Sequence, residues 1–201
     1  GHDPYSASKA CVELVVNAFR SSFPAQNSVG QQKKIVTARA GNVIGGGDWS
    51  EDRIVPDIIR AFRSSETVQV RNPESIRPWQ HVLEPLSGYL LLAGLLHHSD
   101  GGYASSYNFG PLPDDHLSVR GLMEAVKDEW PGAAWTDVSC ETHPHETKVL
   151  RLDITKAQQD LGWNPRLNAS EAIKWTLDWY RQPRNKQAEF TFDQINQYFT
   201  R

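Results

Sequence analysis

The sequence has little cysteine, no long apolar run and no excess of positive charge. Its two cysteines, Cys11 and Cys140, have the spacing of neither a metal knuckle nor a disulfide framework, and the expectation is a reducing cytoplasm. The longest apolar stretch, residues 88–96, falls well short of the roughly 18 residues a membrane span needs. It reads as a buried helix lying on a sheet. A formal charge of −3 without a basic patch argues against a nucleic-acid partner. No methionine precedes Gly1, and the chain has no strand, G-x-x-G-x-x-G turn and helix of the kind that cradles a dinucleotide pyrophosphate. Gly45-Gly46-Gly47 does not substitute for it, because it follows the wrong strand and leads into no phosphate-facing helix. No internal repeat is present.

What the chain does have begins at once. Tyr5-Ser6-Ala7-Ser8-Lys9 puts a phenol and an ammonium four residues apart, on one face of an amphipathic helix. A free phenol is a poor base near neutral pH, and a neighbouring ammonium favours its ionised form. Such a pair can take a proton from a hydroxyl. The helix carries one apolar stripe through Ala7, Cys11, Leu14 and Ala18, and another continuing from Tyr5 and Lys9 through Val12, Val16 and Phe19. It is therefore expected to be covered on two sides. After a polar loop, residues 34–44 read as a buried strand that runs into the glycine-rich turn and then Asp48-Trp49.

These features, with four further segments, resemble the extended short-chain dehydrogenase/reductases that act on nucleotide-sugars. The segments are Arg39-Ala40-Gly41-Asn42-Val43-Ile44-Gly45, Asp52-Arg53-Ile54-Val55-Pro56, Ile76-Arg77-Pro78-Trp79-Gln80-His81-Val82, and the closing series Leu152-Asp153-Ile154-Thr155-Lys156-Ala157, Leu161-Gly162-Trp163-Asn164-Pro165 and Trp179-Tyr180. Their wording is most like that of the CDP-glucose 4,6-dehydratases, and the resemblance covers nearly the whole chain. It implies an α/β fold: the C-terminal part of an extended short-chain dehydrogenase/reductase, with the last strands of a Rossmann-type parallel sheet and a smaller α/β substrate-binding lobe. It also implies NAD-dependent dehydration of CDP-glucose to CDP-4-keto-6-deoxyglucose, for deoxysugar and polysaccharide biosynthesis. In that scheme Tyr5 is the base. Lys9 assists it and holds the nicotinamide ribose, Asn42 contacts the substrate, and Arg77 binds the diphosphate, which a guanidinium fork suits geometrically.

The same resemblance places the family's cofactor turn, its hydroxyl residue and its acid/base group upstream of the tyrosine. This chain therefore reads as part of a longer protein and is expected to be inactive alone. Residues 1–50 and 82–115 read as the remaining cofactor-binding domain, 51–81 and 116–182 as the substrate lobe, and 183–201 as a loosely packed tail. A homodimer built on the Tyr5/Lys9 helix is implied for the whole protein, with no membrane or nucleic-acid partner. An epimerase or decarboxylase of the same family shares the Tyr/Lys pair, and a nucleotide-sugar-binding module without catalysis is the non-enzymatic alternative.

Other polar residues take their meaning from their surroundings. Arg71, at a strand end six residues before Arg77, offers a second cation to the phosphates. Trp49 is read as a wall of the sugar pocket, with ordinary packing as the alternative. His143-Pro144-His145-Glu146 is too sparse for a metal site, and His145 is read as substrate-facing. Lys148-Val149-Leu150-Arg151 departs from the Arg-Arg pair of many relatives, which leaves base recognition open. Trp163, Trp175 and Trp179 are expected to be packing anchors. The predicted elements are helices over 4–22, 52–64, 82–98, 118–130, 154–161 and 169–182, strands over 34–40, 67–71, 105–109 and 135–139, and an extended segment over 147–152.

Overall fold

The computed structural model describes residues 3–23, 34–98, 103, 106–140 and 148–201. The first helix, α1 (Pro4–Ser22), has its start written into the sequence. The Asp3 carboxylate accepts from the Ser6 amide at 2.9 Å, the Ser6 hydroxyl reaches back, and Pro4 fills the first turn, where its missing N–H costs nothing. None of its residues is buried. The cover expected on its two apolar stripes is not supplied by the described residues of this chain, and Val12, Leu14, Val15 and Phe19 are all more than half exposed.

Strand β1 (Thr37–Ala40) pairs in parallel with β6 (Ser106–Phe109), the pair expected from the 34–40 and 105–109 patterns. Past Gly41 the chain changes partner. β2 (Asn42–Ile44) pairs in parallel with β5 (Trp79–His81), two short strands that the glycine-rich and polar wording hides. Between them in sequence lie α2 (Ile54–Arg63), β3 (Val68–Val70) and β4 (Ile76–Arg77). β5 is followed by α3 (Leu83–His98). β4 pairs antiparallel with β7 (Leu117–Ser118), and Val149 bridges to Ile76 on the same strand. Ser118 caps α4 (Val119–Glu129), accepting from the Gly121 amide, and β8 (Trp135–Asp137) pairs in parallel with β3.

Three clusters hold these elements. In the largest, Val55, Ile58 and Ile59 of α2 meet Leu122, Met123 and Val126 of α4, together with Ile173 and Leu177 of α6 (Ala169–Arg181). A second forms where Leu92 of α3 meets Tyr107 and Phe109 of β6 and α5 (Thr155–Leu161), with Trp163 edge-on to Phe109 at 5.0 Å. Gly88 lies here because a Cβ on it would come within 2.2 Å of the Phe109 ring. In the third, Leu83, Leu167 and Trp175 pack around Tyr198. Trp163 and Trp175 are buried as anchors, while Trp179 donates to Thr191 Oγ1 at 2.8 Å.

The tail corrects its expectation. Residues 184–186 form a 3₁₀ turn and Gln187–Phe199 forms α7, which packs closely. Gln194 donates to the Trp175 carbonyl, Tyr198 is fully buried, and Arg166 donates to the Tyr198 carbonyl at 2.8 Å. The physical reason is long-range: the partners of α7 lie upstream in the chain, and its own mix of polar and aromatic residues does not name them.

The strongest of these links is Glu84, fully buried in the first turn of α3. Its carboxylate accepts from the Leu167 amide at 2.7 Å, the Arg166 amide at 3.0 Å and the Tyr198 hydroxyl at 2.8 Å. Burial pushes the carboxyl above its ordinary range, against the pull of these donors. Glu84→Ala leaves those donors without their acceptor, and each such loss costs about 1 to 3 kcal/mol. We expect a destabilisation of at least about 3 kcal/mol in urea unfolding, with Glu84→Gln milder because one amide oxygen remains to accept.

His81 sets an acid limit. It is buried on β5 beside Trp175, accepts weakly from the Leu83 amide, and is held down to about 4 by burial. The unfolded chain binds this proton near pH 6.5 and the folded one only near 4. The stability from neutral His81 is thus complete above pH 6.5 and lost as pH falls toward 4, by about 3 kcal/mol. Glu84 acts with the opposite sign, favouring the fold at acid pH and losing that contribution as pH rises through its raised value. A net fall in unfolding free energy between pH 6.5 and 4 is expected, flattened in His81→Leu. An unchanged slope in that variant would assign the acid sensitivity to other groups.

Candidate active-site cleft

A cleft of about 1340 Å³ opens where β1 gives way to β2. One wall is the face of α1 that carries Tyr5 and Lys9. Opposite are Asn42 at the start of β2, Arg71 just past β3, and Arg77 on β4. Five of the residues singled out in the sequence therefore border one space.

Their environments differ. The Tyr5 ring is 71% exposed, with the Lys9 ammonium 5.4 Å from its centroid. Arg77 is only 7% exposed and donates to its neighbour's carbonyl, Ile76 O, at 2.9 Å. A guanidinium sunk in a cleft wall is held in place before any anion arrives, which lowers the ordering cost of binding. Arg71 remains exposed.

Two residues do not join them. Trp49 stands outside the cleft wall, edge-on to Tyr180 at 5.2 Å with the Arg63 guanidinium 4.9 Å from its ring. His145 lies outside the described residues, as does the rest of the 143–146 motif. Among the described residues no group of three acidic, histidine or cysteine side chains could hold a metal, and no helix is long and apolar enough to cross a membrane.

The glycine-rich turn has a packing explanation. A Cβ on Gly46 would fall 2.0 Å from the Trp179 ring, and Gly47 takes a positive φ of 87°. The indole fills the space a phosphate would need. Beyond it, Asp48 accepts from the Ser50 amide at 3.0 Å and from Arg53 at 3.1 Å. Burial raises the Asp48 carboxyl, but Ser50 and Arg53 outweigh it and hold it below the ordinary range. Arg60 ties this loop to α2 through the Trp49 and Ser50 carbonyls. Asp52, also on the cleft, sits at a φ of 58°, an unusual value for a non-glycine residue.

Sequence alone assigns no role to Glu13. It too borders the cleft, one turn beyond Lys9, and it accepts from the Thr37 hydroxyl at 2.9 Å and lies 3.8 Å from Arg39. Its spacing of four from Lys9 is the one local signal that points to it.

No family model matches the chain. Over 190 residues it is 46% identical to the CDP-glucose 4,6-dehydratase of Salmonella typhimurium, covering 90% of this chain and 52% of that protein. It is 27% identical over 191 residues to a dTDP-glucose 4,6-dehydratase of Streptomyces antibioticus, covering 91% of this chain and 50% of the relative. Among solved structures, a Bacillus anthracis dTDP-glucose 4,6-dehydratase in complex with NAD superposes with a TM-score of 0.72 at 16% identity, over 94% of this chain and 55% of that one. A Thermotoga maritima UDP-glucose 4-epimerase with UDP-glucose gives 0.71 at 22%, over 89% and 53%. The fold is that of the extended short-chain dehydrogenase/reductases. The chain spans about half the length of the curated relatives it matches.

Proposed function

We propose that this chain supplies the proton-abstracting and substrate-orienting part of an NAD-dependent nucleotide-sugar 4,6-dehydratase whose substrate is CDP-glucose. The observation that carries the reading is the convergence of Tyr5, Lys9, Asn42, Arg71 and Arg77 on one cleft. The 46% identity to a CDP-glucose 4,6-dehydratase supports the choice of nucleotide.

Tyr5 takes the proton of the sugar 4-hydroxyl, and its exposure on the cleft leaves the phenol oxygen open to a bound substrate. Lys9 holds its ammonium 5.4 Å from the centre of the Tyr5 ring and would hold the nicotinamide ribose. Bound NAD would supply the hydride-accepting and hydride-donating chemistry that the sugar's C4 and C6 require. Asn42 and Arg77 hold the nucleotide-sugar with C4 toward the phenol, which converts an encounter into an oriented reaction. The residues here fit the nicotinamide end of the cofactor alone, since the glycine-rich turn packs on Val82 at Gly45 and on Trp179 at Gly46 and Gly47. The groups that remove the C5 proton and protonate the departing C6 hydroxyl belong to no motif of this chain.

In the same reading residues 1–50 and 82–115 serve the cofactor side, 51–81 and 116–182 the substrate lobe, and the whole enzyme is a cytoplasmic homodimer in deoxysugar biosynthesis.

Two substitutions test it in the protein expressed from its full reading frame. Tyr5→Phe removes the base and is expected to lower turnover of CDP-glucose at least about a hundredfold, with the dissociation constant little changed, because general base catalysis contributes about 10² to 10⁴. Near-native turnover would refute the role. Arg77→Ala is expected to weaken CDP-glucose binding by about 1.5 to 3 kcal/mol in isothermal titration, through lost charge-assisted hydrogen bonds. An unchanged affinity would remove Arg77 from the diphosphate site.

A further inference from the structure

The geometry points to Glu13 as the positioning residue of the Tyr5/Lys9 pair, through a latch to Thr37 and Arg39 of β1; we propose that this latch fixes the catalytic face of α1 over the cleft.

Among the described residues none of α1 is fully buried, so its apolar contacts there restrain its rotation and height only weakly. Its capping box and serine contacts are internal to the helix. Glu13 reaches outward instead. One carboxylate oxygen, Oε2, accepts from Thr37 Oγ1 at 2.9 Å, and the other, Oε1, faces Arg39 Nε at 3.8 Å. Thr37 and Arg39 are two apart on β1 and so project from the same face of the strand. Two contacts to two successive positions restrain both sliding and rotation, which one contact does not.

The latch sits where such restraint matters. Tyr5, Lys9 and Glu13 follow one another at intervals of four on a single helical face, and all three border the cleft with Thr37 and Arg39. Because Arg39 lies beside the Glu13 carboxylate, that anion has a partner other than Lys9, one turn away, and the Lys9 charge stays directed at the phenol. β1 runs on through Gly41 to Asn42, so the latch ties the base to the strand that presents the substrate's asparagine.

This inference rests on Tyr5 acting as the base, and the test separates the two. In the full-length enzyme with NAD+ and CDP-glucose, Glu13→Ala is expected to lower kcat about ten- to a hundredfold while KM changes less than about threefold, the mark of lost orientation rather than lost binding. Glu13→Gln keeps an oxygen for the Thr37 hydroxyl and should recover most of the lost kcat. Thr37→Val, which leaves α1 untouched, should reproduce part of the loss, and Glu13→Ala/Thr37→Val should be no worse than Glu13→Ala alone. Native kcat in Glu13→Ala, additive losses in the double variant, or no recovery in Glu13→Gln would each overturn the latch. Tyr5→Phe measured alongside decides the base: if it stays active, the reading of Tyr5 fails; if it is dead while Glu13→Ala is unaffected, only the latch fails.

Discussion

The arrangement of the C-terminal half depends on one buried carboxylate. Glu84 enters α3 from β5 and collects donors from residues 166 and 167 and from Tyr198 of α7. An anion taken out of water is costly unless its lone pairs are met, so its position obliges three distant segments to meet at one point. Ser87, one turn on, extends the network to the Tyr198 hydroxyl at 3.0 Å and the Trp163 indole at 3.0 Å. Leu83, Leu167 and Trp175 close around it and keep water away. The order follows from magnitude: an unmet buried carboxylate costs several kcal/mol, more than the individual apolar contacts around it contribute.

That network also explains where reading the sequence succeeds and where it stops. The bounds of α1 are legible to the residue because Asp3, Pro4 and Ser6 state its start locally. The β1–β6 strands announce themselves by apolar patterning. By contrast, α7 mixes polar residues with scattered aromatics, and the residues that tie it to the core are Glu84, Arg166 and Trp175, up to 114 positions away. β5 is hidden for a related reason. Gln80 and His81 look like surface residues, yet both are buried, and Gln80 donates to the Phe109 carbonyl at 2.8 Å to join the two parallel pairs.

The site divides along the same line. Tyr5, Lys9, Asn42 and Arg77 each sit in a short motif whose chemistry is local, Arg71 lies at a strand end near Arg77, and all five border the cleft. Trp49 is less legible because an aromatic after glycines suits a pocket wall and a packed loop equally, and its neighbours Tyr180 and Arg63 come from distant segments. Glu13 goes unread because its meaning lies in its partner Thr37 on β1, 24 positions on.

What makes the cleft is a change of partner at Gly41. β1 pairs with β6, and β2 with β5, so two nearly continuous strands belong to different sheets. A side chain at residue 41 would push β1 and β2 away from the β4–β5 junction, since its Cβ would lie 2.6 Å from the Pro78 ring. Pro78 in turn separates β4 from β5, leaving Arg77 at the end of one strand and Trp79 at the start of the next, opposite Asn42 in register. The same glycine–proline contact therefore brings the asparagine and the arginine to one opening, from parts of the chain some 35 residues apart. Widening that contact would move Asn42 relative to Arg77, and with them Ile44 and Trp79 of the largest cluster.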